Sequence, residues 1–158
     1  MGQCVARTVT LIVDESTLPK VRGRYRFNAD LSKTNWFQVG GAADVLFKPE
    51  DAQDLADFIA HKPNDLPITI IGVGSNLIVR DGGIDGAVIR LGRGFTKMEQ
   101  ADDILTVGAG CLDVNVAHYS ADCGLAGMEF LAGIPGTIGG ALAMNCLLYT
   151  SPSPRDRG

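Results

Sequence analysis

The stretch that decides the fold reads Ile68-Thr69-Ile70-Ile71-Gly72-Val73-Gly74-Ser75-Asn76. Its first four residues form an apolar, β-branched run that is typical of a buried strand. Glycines placed directly after a strand allow positive φ angles and let a ligand approach without a Cβ in between. The successive N–H groups of such a turn form an anion-binding concavity, to which Ser75 and Asn76 add side-chain donors. Residues 72–76, the first glycine loop, therefore predict a pyrophosphate site; a tight turn without a ligand is the alternative.

This loop does not match the two common nucleotide-binding motifs. Leu77 stands where the dinucleotide fingerprint G-x-G-x-x-G has its third glycine. The apolar run Leu77-Ile78-Val79 that follows predicts a strand, whereas that fingerprint opens a helix. A Walker motif would need Gly-Lys-Ser/Thr, which the stretch lacks. The sequence therefore argues against both a Rossmann dinucleotide site and a P-loop.

A second glycine-rich stretch, the second glycine loop, reads Gly133-Ile134-Pro135-Gly136-Thr137-Ile138-Gly139-Gly140-Ala141. Four glycines and a proline predict irregular backbone here. The apolar content suits packing against a large planar ligand whose heteroatoms accept the exposed N–H groups. The alternative is a crossing of two elements that pack through small residues.

Hydrophobic periodicity between and around the loops predicts an α+β fold. Predicted strands cover residues 43–47, 68–71, 77–79, 87–91 and 104–107. A helix begins after Pro49-Glu50-Asp51, and a second covers residues 112–123 and ends at Gly124. Residues 1–30 are poorly patterned and predict a solvated leader. The apolar faces of the two predicted helices consist of Ala52, Leu55, Phe58 and Ile59, and of Leu112, Val116 and Tyr119.

Composition excludes several functional classes. The chain has 158 residues, of which 46% are hydrophobic, so it can form a core and is not a disordered tail. A net charge of −4 argues against non-specific electrostatic binding to nucleic acid or to anionic membranes. The uncharged residues 130–154 are interrupted by glycines and prolines, which favours a loop over a membrane span. Four scattered cysteines without a C-x-x-C pair predict reduced thiols and no metal site.

A few side chains near the loops carry individual predictions. Trp36 and Phe37 are expected as core anchors and not as stacking platforms. His61 is expected at a helix end on the surface, and His118 on the polar side of the second helix. Glu129 could face a ligand or solvent. The sequence shows no Ser-His-Asp set and no recognisable pair of catalytic carboxylates.

Together with Thr34-Asn35-Trp36-Phe37-Gln38-Val39-Gly40-Gly41 and Gly108-Ala109-Gly110, the two loops resemble the UDP-N-acetylenolpyruvoylglucosamine reductase (MurB) family over residues 20–145. The resemblance implies an FAD-binding domain of the vanillyl-alcohol-oxidase (PCMH) type. Such a domain has two small α+β subdomains with the flavin between them, and here it is expected to be incomplete. The alternatives are a piece of another FAD-linked oxidase of that superfamily, or an inert truncation product.

The resemblance also implies a set of cofactor-binding residues. Residues 72–78 would cradle the FAD pyrophosphate, and residues 133–141 would run past the isoalloxazine ring. No His or Cys attachment motif is found, so FAD is expected to be non-covalent. The implied FAD-binding residues are Gly72, Val73, Gly74, Ser75, Asn76, Leu77, Ile78, Gly110, Gly133, Ile134, Pro135, Gly136, Ile138, Gly139, Gly140 and Ala141.

The implied activity is the NADPH-dependent reduction of UDP-N-acetylenolpyruvoylglucosamine, a nucleotide sugar, to UDP-N-acetylmuramate in the cytoplasm. The serine, glutamate and arginine that the family uses would lie beyond this chain, so no catalytic residue is expected in it. Residues 1–19 are an uncertain leader and residues 20–145 the domain. After Asn145 the sequence departs from the family pattern and looks like a translated sequencing adapter. Residues 146–158 are therefore expected to be a non-native, disordered tail.

Overall fold

Four strands form the main sheet, in the order β1-β2-β4-β3. Their bounds are β1 Arg24–Asp30, β2 Ala42–Lys48, β3 Ile68–Ile71 and β4 Ile84–Arg90. β1 runs antiparallel to β2, whereas β2 and β3 both run parallel to β4. The computed structural model describes residues 13–145, so the predictions for residues 1–12 and 146–158 lie outside the described residues.

The two central strands, β2 and β4, are buried on both faces. Alternate residues therefore enter different cores: Val45 and Phe47 pack on one face of the sheet, and Leu46 packs on the other. The first core lies under a helix and the second lies on the opposite face. Their buried members are Leu18, Val45, Phe47, Phe58, Leu66, Ala87 and Ile89, and Ala29, Leu31, Ala43, Leu46, Ile71, Val79 and Val88.

Helix α1, Ala52–His61, connects β2 to β3. The Asp51 side chain caps it by accepting a hydrogen bond from the Asp54 N–H at 2.9 Å. Phe58 enters the core as predicted, but Ala52 and Ile59 are exposed, so the predicted apolar face was wrong at those two positions. The buried side of α1 instead carries a carboxylate, Asp54.

Asp54 fastens the segment before β1 to the start of α1. Its oxygens accept hydrogen bonds from the N–H groups of Arg22 at 2.7 Å, Gly23 at 2.9 Å and Glu50 at 2.9 Å. Burial acts to raise the pKa of Asp54, but these hydrogen bonds outweigh it and hold the pKa below its ordinary value. The prediction of a solvated leader was wrong for residues 24–30, because these residues form the edge strand β1. The buried Asp54 holds the segment directly before this strand in place.

A second, smaller region follows the main sheet. It contains the hairpin β5 Met98–Ala101 and β6 Ile104–Val107, and the helices α2 Asp113–Asp122 and α3 Ile138–Ala143. Its core consists of Cys111, Val116, Ala117 and Leu131, with Ile134 and Ile138 packed against them. Two sheets and three helices in the described range give the α+β class that the sequence predicted.

Other local predictions needed correction. β1 and β5 were not predicted, and residues 77–79 form no strand. β3 lies at an edge of the sheet, so Ile70 is 60% exposed and not buried. Leu112 was predicted to lie on the apolar face of the second helix, but it precedes α2 and is exposed. The buried face of α2 consists of Asp113, Val116, Ala117 and Ser120. Within residues 13–145, no helix combines the length and the apolar character needed to cross a bilayer.

Candidate functional site

The two glycine loops meet at a cleft between the main sheet and the smaller region. Two adjoining cavities, of about 550 Å³ and about 190 Å³, lie in this cleft. Both are lined by one residue of the first loop, Val73, and by three of the second, Ile134, Pro135 and Gly136. The sequence predicted a binding role for each loop separately, and the fold brings the two together.

The first loop is built against the segment that precedes β2. Gly74 has a φ of +71°, and a Cβ there would lie 2.6 Å from the Thr34 carbonyl oxygen. The Gly74 carbonyl accepts a hydrogen bond from the Trp36 N–H at 3.0 Å. Glycine is needed at this position both for its backbone conformation and for the close approach of the neighbouring chain. In the described part of the chain, no backbone carbonyl accepts from the N–H groups of residues 73–76.

The second loop is held by the segment that leads into α2. Leu112 and Thr137 form an antiparallel bridge, in which the Asp113 N–H donates to the Gly136 carbonyl at 3.2 Å. The predicted irregular backbone was wrong for residues 138–141, which belong to α3. The Thr137 hydroxyl caps this helix by accepting from the Gly140 N–H at 3.4 Å.

Each loop also packs directly on the other. A Cβ added to Gly72 would lie 2.5 Å from the Thr137 hydroxyl. A Cβ added to Gly136 would lie 3.1 Å from an Asp113 carboxylate oxygen and 3.6 Å from the Ser75 hydroxyl. The absence of side chains at these two glycines therefore keeps the floor of the cleft narrow and its polar groups close together.

Trp36 forms part of the wall of the larger cavity. Its side chain is 62% exposed, and that of its neighbour Phe37 is 52% exposed. The prediction that both are core anchors was wrong. Asn35 is buried at this turn and donates from its amide to the Leu31 and Val39 carbonyls, both at 2.8 Å. This fixed turn presents the indole at the cleft, where an apolar ring can contact a planar ligand.

Asp113 is the first residue of α2 and lines the smaller cavity. Its side chain is fully buried, and neither carboxylate oxygen has a hydrogen-bond partner among the described residues. Burial raises the pKa of Asp113 above its ordinary value. Sequence reasoning missed this residue because a lone Asp at a helix start normally indicates a solvated first turn.

Most of the implied FAD-binding residues line the cleft, and four do not. Ile78 is 69% exposed and lines neither cavity, and Gly110 packs on Phe95, to whose carbonyl it donates at 2.9 Å. Ile138 packs in the core of the smaller region, and the Gly139 N–H donates to the Ala109 carbonyl at 2.9 Å. The lining also includes residues that the sequence did not single out as binding residues: Trp36, Leu112, Asp113, Val114, Ala132, Thr137, Ala143 and Met144.

The remaining polar candidates lie elsewhere or in solvent. Glu129 is exposed and accepts a hydrogen bond from the Gly127 N–H at 2.9 Å, and the exposed His61 ring contacts the Asp57 carbonyl at 2.8 Å. His118 is exposed, as expected. Across residues 13–145, no three His, Cys, Asp or Glu side chains are grouped so that they could hold a metal ion. The cleft thus offers amide and hydroxyl donors, an apolar wall and one buried acid.

Comparison with known proteins places this geometry in a family. Residues 43–154 match the family described as FAD binding domain. The chain is 55% identical over 139 residues to the UDP-N-acetylenolpyruvoylglucosamine reductase of Rhodospirillum rubrum, covering 88% of this chain and 43% of that protein. It is 56% identical over 130 residues to the reductase of Azorhizobium caulinodans, covering 82% of this chain and 42% of that protein.

A solved structure of a reductase of this kind is also similar to the chain. The crystal structure of UDP-N-acetylenolpyruvylglucosamine reductase (MurB) from Thermus caldophilus superimposes with a TM-score of 0.60 at 33% identity. The match covers 78% of this chain and 42% of that one. The chain therefore spans somewhat less than half the length of these relatives.

Proposed function

Because the chain belongs to the FAD binding domain family, we propose that the cleft between its two glycine loops binds FAD without a covalent bond. The observation that carries this proposal is the direct packing of the loops, with Gly72 against Thr137 and Gly136 facing Ser75. A dinucleotide has an anionic middle and planar ends. A cleft with amide donors on one side and an apolar wall on the other is complementary to such a ligand.

The first loop is suited to the pyrophosphate. The N–H groups of residues 73–76 have no backbone acceptor in the described range, and the Ser75 hydroxyl and Asn76 amide add further donors. No Lys or Arg lines either cavity among the described residues. Amide and hydroxyl donors of this chain would therefore hold the phosphate oxygens.

The larger cavity is suited to a planar ring of the cofactor. Its volume of about 550 Å³ falls in the range of ligand sites, and its lining is mainly apolar. Val73 and Ile134 contribute aliphatic surface, Gly133 leaves open space, and Trp36 adds an exposed aromatic ring. The role of these residues is to orient the ring and to keep water away from one of its faces.

We further propose that the chain provides the FAD-binding part of a reductase that acts on UDP-N-acetylenolpyruvoylglucosamine. The names of the similar proteins support this substrate. We propose NADPH as the reductant and the cytoplasm as the location of the whole enzyme. Bound FAD would supply hydride transfer to the enolpyruvyl double bond. To residues of this chain we assign binding and orientation of the cofactor, and no catalytic role.

The cofactor proposal is tested by titrating the full 158-residue chain with FAD and following flavin fluorescence. We expect saturable binding at one site, and release of all the flavin when the protein is denatured with acid, since the bond is non-covalent. Trp36→Ala should weaken binding about tenfold through the loss of aromatic contact. Gly82→Ala is the matched control, because Gly82 lies in an exposed turn and no atom in the described part of the chain lies within 4 Å of an added Cβ. An affinity that Trp36→Ala leaves unchanged would exclude this placement of the ring.

The activity proposal needs a separate assay. With FAD bound, the chain alone should neither oxidise NADPH nor reduce UDP-N-acetylenolpyruvoylglucosamine, because the residues that it contributes bind the cofactor only. Turnover by this chain would overturn the assignment of no catalytic role. Bleaching of bound flavin by dithionite, measured at its visible absorbance band, serves as the control that the cofactor is redox-competent.

A further inference from the structure

The buried carboxyl of Asp113 is not explained by the packing of the chain. Ionised carboxylates are costly to bury unless they are paired or hydrogen-bonded, and such acids usually accept several N–H groups, as Asp54 does. Asp113 has the same degree of burial but no partner among the described residues. It lies beside Gly136, in the wall of the smaller cavity.

The surroundings of Asp113 determine which form of the acid a ligand would meet. The first loop, the second loop and α3 face it, and none of their described residues in the cavity lining is titratable or charged. The amides at the start of α2 favour the carboxylate, and burial opposes it. Because no Lys or Arg of the described residues lines the cavity, a phosphate that enters beside a carboxylate would meet an uncompensated like charge.

We propose that Asp113 is a ligand-binding residue that holds the FAD pyrophosphate as a neutral acid. When the anion enters the cleft, the carboxylate takes one proton from solvent and its O–H donates a hydrogen bond to a phosphate oxygen. No covalent bond is made or broken in the ligand, and the proton returns to solvent when FAD leaves. This inference rests on the proposed FAD site and adds a proton to the binding reaction.

If Asp113 acted as an ionised hydrogen-bond acceptor and not as a neutral donor, FAD affinity would depend on pH in the opposite direction. A carboxylate that accepts a hydrogen bond from a ribityl or ribose hydroxyl must stay ionised, so FAD would bind more tightly as the pH rises. A neutral acid that donates to phosphate predicts weaker binding as the pH rises through the pKa of Asp113 in the free chain. One protonation step corresponds to a change of about tenfold in affinity per pH unit.

The test measures the FAD dissociation constant of the full chain by flavin fluorescence from about pH 4.5 to 8.5. For the wild type we expect a flat region at low pH followed by a decline of about tenfold per unit. Asp113→Asn keeps a hydrogen-bond donor of the same shape, so it should bind FAD about as tightly as the wild type at low pH and show no decline. Asp113→Ala should bind about tenfold to a hundredfold more weakly than Asp113→Asn, and that ratio should not change with pH.

Two controls separate this result from other causes. Asp122→Asn removes the same charge from the exposed end of α2 and should keep the wild-type pH profile. Circular dichroism of each variant confirms that it is folded. A pH-independent affinity in the wild type, or an Asp113→Asn variant as weak as Asp113→Ala, would overturn this inference and leave the FAD site standing. Failure of the wild type and of every variant to bind FAD would overturn the proposed function and the inference together.

Discussion

The two glycine loops have similar compositions, but different groups stand next to their glycines. In the first loop, Gly74 packs against the Thr34 carbonyl, whose oxygen would lie 2.6 Å from a Cβ added to Gly74. Among the described residues, an added Cβ at Gly133 of the second loop would have no neighbour within 4 Å, and one at Gly136 would meet only side-chain oxygens of the cleft. Gly74 of the first loop is therefore required by the fold, whereas Gly133 and Gly136 of the second loop keep space for a ligand. Glycines in one site can thus be needed for two different physical reasons.

The largest expected effect is the loss of stability on Gly74→Ala. The substitution places a Cβ against backbone that cannot move away and also strains a φ of +71°. We expect the free energy of unfolding to fall by about 3 kcal/mol, measured by urea denaturation.

Gly124→Ala is the matched control for this loss. Gly124 has the same φ of +71°, but no atom of residues 13–145 lies within 4 Å of an added Cβ, so only the backbone strain of about 1 kcal/mol applies. Equal losses in the two variants would show that backbone conformation alone, and not the approach of residue 34, requires glycine in the first loop.

The second expected effect is a gain of stability on Asp113→Asn without ligand. Burial raises the pKa of Asp113, so the folded chain holds this proton more tightly than the unfolded chain. The stabilisation that protonated Asp113 gives the folded chain is fully present below about pH 4. It is lost as the pH rises through the pKa of Asp113 in the folded chain. At neutral pH we expect Asp113→Asn to be more stable than the wild type by about 1 kcal/mol, and at low pH to be equal to it. A variant less stable than the wild type at neutral pH would mean that the carboxylate has a partner in the folded chain.

A similar, slightly smaller effect is expected from the cap of α3. Thr137→Ala removes the hydroxyl that accepts from the Gly140 N–H and should cost about 1 kcal/mol in thermal or urea unfolding. Thr137→Ser keeps the hydroxyl and should recover most of that loss. If Ser is no better than Ala, the methyl group of Thr137 and not its hydroxyl stabilises this end of the second loop.

The smallest expected effect is at Gly133. An Ala there meets open space, so the free energy of unfolding should change by less than about 0.5 kcal/mol. The same substitution narrows the larger cavity and should weaken FAD binding measurably in the fluorescence titration. A loss of stability as large as that of Gly74→Ala would erase the difference between the loops.

The parts of the fold that follow a simple period were predictable from the sequence. The strands at residues 43–47 and 87–91 were found because both faces of β2 and β4 are buried, which gives continuous apolar runs. The run at residues 77–79 looks the same, but it forms a connection in which Val79 alone is buried and Ile78 is exposed. Apolar content by itself could not separate these cases.

The rest of the site depends on contacts between distant segments. Gly139 and Gly140 are poor helix formers, yet α3 forms because Thr137 caps it and Gly139 can approach the Ala109 carbonyl closely. Trp36 was predicted to be a core anchor, whereas its backbone is hydrogen-bonded to Gly74 and its side chain lines the larger cavity. The sequence does not reveal that Asp113 lacks a partner, because this requires knowing that no donor of residues 13–145 reaches its carboxylate.

The most direct test of the account measures FAD affinity and unfolding free energy together for Gly136→Ala. The added methyl group would lie 3.1 Å from the Asp113 carboxylate and 3.6 Å from the Ser75 hydroxyl, in the space assigned to the ligand. We predict that FAD binding weakens at least about tenfold, while the free energy of unfolding changes by less than about 1 kcal/mol. An unchanged FAD affinity in this folded variant would contradict the claim that the cofactor binds between the two loops.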